Sequence, residues 1–288
     1  MEEKNTQNKS KNGTVISASR MTDMPKFYPK ELIEEVEKRR SKGVLIHTLV
    51  LWTKHPKSLL AVPLNSYLKE LRDDGIQLYL QLTITGMGQQ PMGVDSNGNP
   101  VVMEPRAPRW EESIYILPEI INLVGNPLRI RLRIDPILRF KDAAGTVYSN
   151  LGYMPKIIAA TAPLGIKTYC FSFVEDGMHD KVNRRFAKLG ATILPPNDEE
   201  REKTKEWLGK LCNQYGINIY SCSVPGFPRS SCIDGALLEQ LHDTHMPTSH
   251  KPQLHRPLCG CTDSIDIGGW PPKKCFTGCQ YCYASSSY

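Results

Sequence analysis

Residues 129–135 read Arg129-Ile130-Arg131-Leu132-Arg133-Ile134-Asp135, and residues 81–85 read Gln81-Leu82-Thr83-Ile84-Thr85. Side chains of an extended strand alternate between two faces, so each stretch is a strand with one apolar and one polar side. Leu82, Ile84, Leu132 and Ile134 belong against helices. Gln81, Thr83, Thr85, Arg131, Arg133 and Asp135 share the opposite face. A parallel strand buried on both faces is nearly all apolar, and these strands are not. Buried guanidinium groups require partners or ligands. The polar face is therefore expected to line a lumen that binds substrate, with an open sheet and a solvated face as the alternative.

Outward from these two strands, β-branched or apolar runs at 14–19, 43–52, 77–85, 128–135, 167–173 and 217–222 alternate with helix-like segments at 29–40, 64–74, 111–124, 151–162, 198–215 and 233–242. Asn197-Asp198-Glu199-Glu200 is a helix start with negative charge in its first turn. The alternation predicts an α/β fold with a parallel sheet under helical cover. Six units fit a partial (βα)6 TIM-like barrel, and an open doubly wound sheet shares the pattern. The expected organisation is a flexible polar tail over 1–13, a barrel domain over 14–242 and a cysteine-rich extension over 243–288 packed on the barrel mouth.

The chain has 288 residues, 40% of them hydrophobic and 23% charged, ordinary values for a globular protein. Its net charge of +6 is scattered and lacks the clustered basic stripe that marks a nucleic-acid binder. Residues 1–13 are polar and carry no apolar signal-peptide core, and no run of 18 or more apolar residues occurs. A cytoplasmic protein with no membrane partner is expected. In a reducing compartment its nine cysteines would be thiols that hold metal or do chemistry.

Five of those cysteines lie in the extension, at Cys259, Cys261, Cys275, Cys279 and Cys282. The spacing Cys275-x3-Cys279-x2-Cys282 offers three thiolates on one short turn. A [4Fe-4S] cluster has four irons, so three cysteines leave one iron open to a ligand that is not protein. Zinc prefers four ligands, usually from paired units, and only one such pair is present here. His242, His245, His250 and His255 precede the loop and offer a zinc reading one further donor. Cys222, Cys232, Cys259 and Cys261 form a second set of four, suited to an auxiliary [4Fe-4S] cluster or to structural zinc. Cys170, in a strand, and Cys212, in a helix, read as small buried hydrophobes.

The loop, with aromatic Tyr281 before its last cysteine, resembles the cluster loop of the radical S-adenosylmethionine superfamily. The whole chain also resembles an uncharacterised bacterial family whose C-terminal cysteines are similar to that loop. The matching pieces are residues 16–25, Trp52-Thr-Lys54, residues 81–85, Arg133-Ile-Asp135-Pro136, Cys232-Ile-Asp234 and the C-terminal run. The resemblance implies a [4Fe-4S] cluster that cleaves S-adenosylmethionine to a 5′-deoxyadenosyl radical. It also implies a low-potential reductant such as flavodoxin or ferredoxin. In the superfamily this loop normally follows the first strand. Here it stands at the other end of the sequence, which implies a circularly permuted barrel.

Ser17, Arg20, Gln81, Thr83, Arg133 and Asp135 are the residues expected to bind the cofactor, and no catalytic residue is assigned. The arginines suggest an anionic small molecule or nucleotide as substrate. Ser17, Arg20 and Asp23 suit ligand contacts or a cap with a salt bridge. Lys54 suits a carboxylate partner or solvent, and Glu104 has no assigned role. Two other function classes stay open: a non-catalytic iron–sulfur carrier or sensor, and a zinc-dependent barrel hydrolase.

Overall fold

The computed structural model describes residues 12–174, 177, 179–253 and 258–284. Strand β1 (Thr14–Ala18) is followed by helices α1 (Met24–Phe27) and α2 (Pro29–Arg40), and strand β2 (Ile46–Thr53) by α3 (Leu64–Asp73). After β3 (Gln77–Thr83) come a hairpin of β4 (Pro91–Val94) and β5 (Pro100–Val102), then α4 (Trp110–Tyr115) and α5 (Leu117–Val124). Strand β6 (Ile130–Ile137) leads through β7 (Arg139–Lys141) and β8 (Val147–Ser149) to α6 (Met154–Thr161). Then follow β9 (Thr168–Phe173), α7 (Asp180–Leu189), β10 (Thr192–Ile193), α8 (Asp198–Tyr215), β11 (Asn218–Ser221), α9 (Gly235–Leu241) and β12 (Ile265–Asp266).

Seven of these strands form one parallel sheet in the order β11-β9-β6-β3-β2-β1-β12. Six strands lie side by side in chain order. A doubly wound sheet reverses its order at a switch point, so that alternative does not apply. The expected six strands are all present. The expected helix over 111–124 is two helices, because Pro118 at the second position of α5 starts a new helix after Ile116. The stretch 86–110 is not irregular throughout, since it carries the β4–β5 hairpin. Of the expected tail, residues 1–11 lie outside the described residues. Gly13 is not tail-like: its N–H bonds Pro247 O at 2.8 Å and it bridges Thr248.

The alternation in β3 and β6 divides the sheet as the sequence requires. Leu78, Leu80, Leu82, Leu132 and Ile134 are fully buried in the large core with Leu32, Leu68, Leu71, Ile120, Ile157 and Leu211 from the covering helices. The opposite face carries Tyr79, Gln81, Arg131, Arg133 and Cys170. A second core covers it there, where Val15, Val50, Tyr79 and Cys170 pack on Cys232, Ile233, Leu238 and Cys261. Part of the expected lumen is therefore filled by the chain itself. Gln77 donates to Leu238 O at 3.0 Å, and Arg129 holds Leu241 O and Asp243.

His47, at the start of β2, fixes this plug from below. One ring nitrogen meets Met246 O at 2.8 Å, the other meets Thr48 Oγ1 at 2.6 Å, and its ring lies 4.5 Å from that of His242. Burial lowers its pKa from 6.5 to about 4. The unfolded chain then binds a proton between those values while the folded one does not, so stability present above pH 6.5 is lost as pH falls toward 4. Asp23, raised by burial to about 6, acts in the opposite sense. A comparison within one background isolates the histidine. Between pH 7 and 4.5, urea unfolding of the wild type should lose up to about 3 kcal/mol more stability than His47→Gln loses.

Candidate functional site

Strand β12 decides where the cysteine loop goes. It pairs parallel to β1, Ile16 with Ile265 and Ser17 with Asp266. The chain leaving it therefore emerges at the C-terminal ends of the strands, where βα loops build active sites in barrel-like folds. Ile267 N–H continues the ladder to Ser17 O at 2.9 Å.

From there residues 273–282 are tied to the loops that follow the first three strands. Thr22 Oγ1 donates to Lys273 O at 2.7 Å and Tyr28 Oη to Lys274 O at 2.8 Å. His55 Nε2 meets Thr277 Oγ1 at 2.9 Å; burial holds this imidazole down to a pKa of about 4, so it is neutral. Arg106 donates through its amide to Thr277 O at 3.2 Å and through Nε to Phe276 O. Gln280 N–H bonds Met103 O at 3.0 Å. Arg185 of α7 reaches the carbonyls of Cys279 and Cys282. Gly278 has φ +85°, and a Cβ there would lie 3.0 Å from Pro105, so the turn between the first two cysteines requires glycine.

At the centre of this attachment is Glu104. Its Oε1 accepts from Lys54 Nζ at 3.0 Å, from Thr85 Oγ1 at 2.7 Å and from Tyr281 Oη. The Glu104 side chain is 3% exposed and that of Lys54 17%, which makes this an interior ion pair. Burial works against the Lys54 ammonium, but the charges of Glu104, Cys279 and Asp135 outweigh it and hold its pKa above the ordinary lysine value. The Cys279 thiol is pushed well up by burial, with Lys54 pulling it down. Asp23, buried at the end of β1, accepts from Lys54 N–H at 2.8 Å and from Thr53 Oγ1 at 2.9 Å, fixing the backbone that carries the lysine.

The six residues expected to bind cofactor lie on the polar face or its rim, several of them already engaged. Ser17 accepts from Trp52 Nε1 at 3.1 Å, and its hydroxyl faces Asp266. Arg20 holds Ser264 at 3.2 Å and lies over the Trp52 ring. Gln81 donates to Cys232 O. Arg133 donates to Cys232 Sγ at 2.9 Å and to Asp135, while Ser172 donates to Asp135 as well. Thr83 is half-buried beside Arg133 in register.

The four cysteines of the expected second set, Cys222, Cys232, Cys259 and Cys261, lie in one cluster together with Cys170. Hydrogen bonds from the thiols of Cys170, Cys222 and Cys261 hold the pKa of Cys232 well down, with Arg133 adding to the effect. Cys170 is thus buried as expected but is not merely a hydrophobe. Cys259 stands at the margin, its sulfur accepting only from Cys261 N–H at 3.5 Å among the described contacts. Of the histidines, His242 packs on His47 at the other end of the sheet, His250 meets Glu239 at 3.0 Å, and His255 lies outside the described residues.

Among the described residues, no three His, Cys, Asp or Glu side chains are arranged as a ready-formed metal site. A cavity of about 930 Å³ opens on the far side of His55 and Arg106, between Pro25, Ser58 and Tyr115, and contains no cysteine. No described helix is long and apolar enough to cross a membrane.

Sequence reasoning missed His55, Arg106 and Arg185, gave Glu104 no role, marked Tyr281 only as part of the cysteine motif, and left Lys54 undecided. For Glu104 the available signal was a carboxylate in a Gly/Pro-rich loop following a strand that bears Thr85, too common a pattern to single it out. For Cys170 the signal was present: it alternates with Tyr169 and Phe171 and so falls on the same face as Arg131 and Arg133.

Over residues 15–284 the chain matches the family described as a domain of unknown function, DUF1848, and it belongs to that family. No curated protein matches it.

Removing one partner of a buried ion pair leaves an uncompensated charge. Glu104→Ala should therefore cost about 3–5 kcal/mol of unfolding free energy in urea. In a double-mutant cycle, adding Lys54→Met should restore part of that loss, because it removes the stranded ammonium.

Proposed function

We propose that this protein is a radical S-adenosylmethionine enzyme on a partial, permuted (βα)6 barrel, with Cys275, Cys279 and Cys282 holding a [4Fe-4S] cluster. One observation carries the reading: the three-cysteine loop is fastened over the C-terminal ends of β1–β3, above a sheet face lined with polar side chains. The sequential strand order supports the barrel.

The donor set fits such a group. The loop offers three thiols with no histidine or carboxylate ligand, one donor fewer than the four irons need. Cys275, Cys279 and Cys282 would hold the cluster, which would supply one-electron reductive cleavage of S-adenosylmethionine. The chain's own residues do the rest. Arg185 and Gln280 fix the backbone that carries the thiols. Lys54 offsets their negative charge at Cys279. Thr83 ends β3, and Asp135 of β6 lies near enough to Lys54 for its charge to act on the ammonium. They are the best placed of the expected residues to meet adenosylmethionine or substrate. Ser17, Arg20, Gln81 and Arg133 support that rim through contacts they already make. The reductant is an external low-potential carrier such as flavodoxin or ferredoxin, and the substrate an anionic small molecule or nucleotide.

The test is anaerobic reconstitution followed by dithionite and S-adenosylmethionine, with 5′-deoxyadenosine as readout. The loop is expected to account for about four irons per chain, and Cys279→Ala should abolish both those irons and the cleavage. Iron bound in the loop, with no cleavage across a panel of nucleotides and anionic metabolites, would favour a carrier or sensor. Zinc in the loop would favour the hydrolase.

A further inference from the structure

We infer that Cys170, Cys222, Cys232 and Cys261 are the ligands of a second metal centre, a four-thiolate site on the polar face of the sheet, with Cys259 outside it. This does not rest on the radical reading, because none of these residues belongs to the three-cysteine loop.

Four separate pieces of backbone bring the sulfurs together. Cys170 points inward from β9, between Tyr169 and Phe171, which face the large core. Cys222 continues β11 alongside it, its N–H bonding Phe171 O at 2.7 Å. Cys232 lies above both, anchored through its carbonyl by Gln81. Residues 260–262 run beside 230–233, with Gly260 N–H to Ser230 O at 3.1 Å and Thr262 N–H to Ile233 O at 2.9 Å, which sets Cys261 against Cys232.

Cys170 and Cys232 share two partners. Arg133 Nη1 lies 2.9 Å from Cys232 Sγ and 3.8 Å from Cys170 Sγ, and Ser230 Oγ lies 3.4 Å from Cys170 Sγ and 3.6 Å from Cys232 Sγ. Cys222 and Cys261 join this pair through the backbone bonds just given, whereas the Cys259 sulfur is described only as accepting from Cys261 N–H at 3.5 Å.

The surroundings suit an anionic centre. Arg131 is 2% exposed. Among the described residues its Nη1 meets the Ser230 hydroxyl at 2.9 Å, its guanidinium lies 5.6 Å from the centre of the Tyr220 ring, and its Nε is buried without a hydrogen-bond partner. Arg133 has one carboxylate, Asp135. Two buried guanidiniums against one carboxylate call for further negative charge, and thiolates on a metal supply it. Hydrogen-bond donors around the sulfurs are the means by which proteins tune such sites. Among the described residues no three ligating side chains stand in a ready-formed site, so the sulfurs must rearrange as the metal enters. Metal entry replaces the thiol protons, which leave to solvent as the metal–sulfur bonds form, and moves Arg133 back toward Asp135. Four thiolates take either zinc or an iron–sulfur cluster, and metal analysis after reconstitution with each separates the two.

The experiment uses the full chain with Cys275, Cys279 and Cys282 each changed to Ala, titrated anaerobically with Co(II). One ion per chain is expected, with thiolate charge-transfer absorption and intense tetrahedral bands, displaced by Zn(II). Adding Cys259→Ala should leave affinity within about twofold, whereas adding Cys170→Ala should lower it by about tenfold or more. The reverse order, or no binding, would overturn the assignment. Since Cys170→Ala can also disturb packing, alkylation of the wild type under native conditions provides a second readout. Bound Zn(II) should protect Cys222 and leave Cys259 as reactive as before. Equal metal-dependent protection of Cys259 would overturn the assignment.

Discussion

One carboxylate joins the cysteine loop to the sheet. Glu104 receives Lys54 from the end of β2, Thr85 from just beyond β3 and Tyr281 from the loop itself. Without it the Lys54 ammonium would be buried beside thiols with too little opposing charge, and Tyr281 would lose the acceptor that orients it. Interior ion pairs add little net stability but are costly to break. What the pair secures here is position: it sets Cys279 over the strand ends at one height. The short parallel ladder of β12 on β1 delivers the chain to the same end of the sheet. The cysteine loop thereby stands at the C-terminal ends of the strands.

The second constraint is the polarity of the sheet's other face. Helices seal the apolar face with leucine and isoleucine, and the same alternation leaves Gln81, Arg131 and Arg133 needing partners. The chain supplies some by folding residues 230–262 back over the sheet, so that Ser230, the Cys232 carbonyl and the cysteine sulfurs meet those donors. Covering part of the polar face in this way leaves Thr83, Asp135 and Lys54 partly exposed. The covering segment and the rim are thus two consequences of one strand pattern.

Much of this was legible in the sequence, for definite reasons. A period of two in residues 129–135 sorts side chains between faces whatever the tertiary context, and the βα alternation marked the six strands that lie in chain order, though not β12 at the sheet's edge. The close spacing of Cys275, Cys279 and Cys282 marked the loop. What was not legible depends on contacts between distant residues. Nothing near Glu104 in the chain indicates Lys54, fifty residues earlier, or Tyr281, far later. The choice between Cys170 and Cys259 is of the same kind, since sequence spacing favours the neighbour of Cys261 whereas strand register brings in Cys170. The break at Ile116, by contrast, was readable from Pro118.

The central claim is that residues 273–282 are fixed to the strand ends by the folded chain itself. Native-state hydrogen exchange measures this at two amides whose bonds cross that boundary, Gln280 to Met103 O and Arg106 to Thr277 O. Both should be strongly protected in the metal-free protein, exchanging only through openings that also release the Glu104 contacts. Exchange of both at the rate of an unstructured peptide, with the strands still protected, would mean that the loop is not held there and would contradict the account.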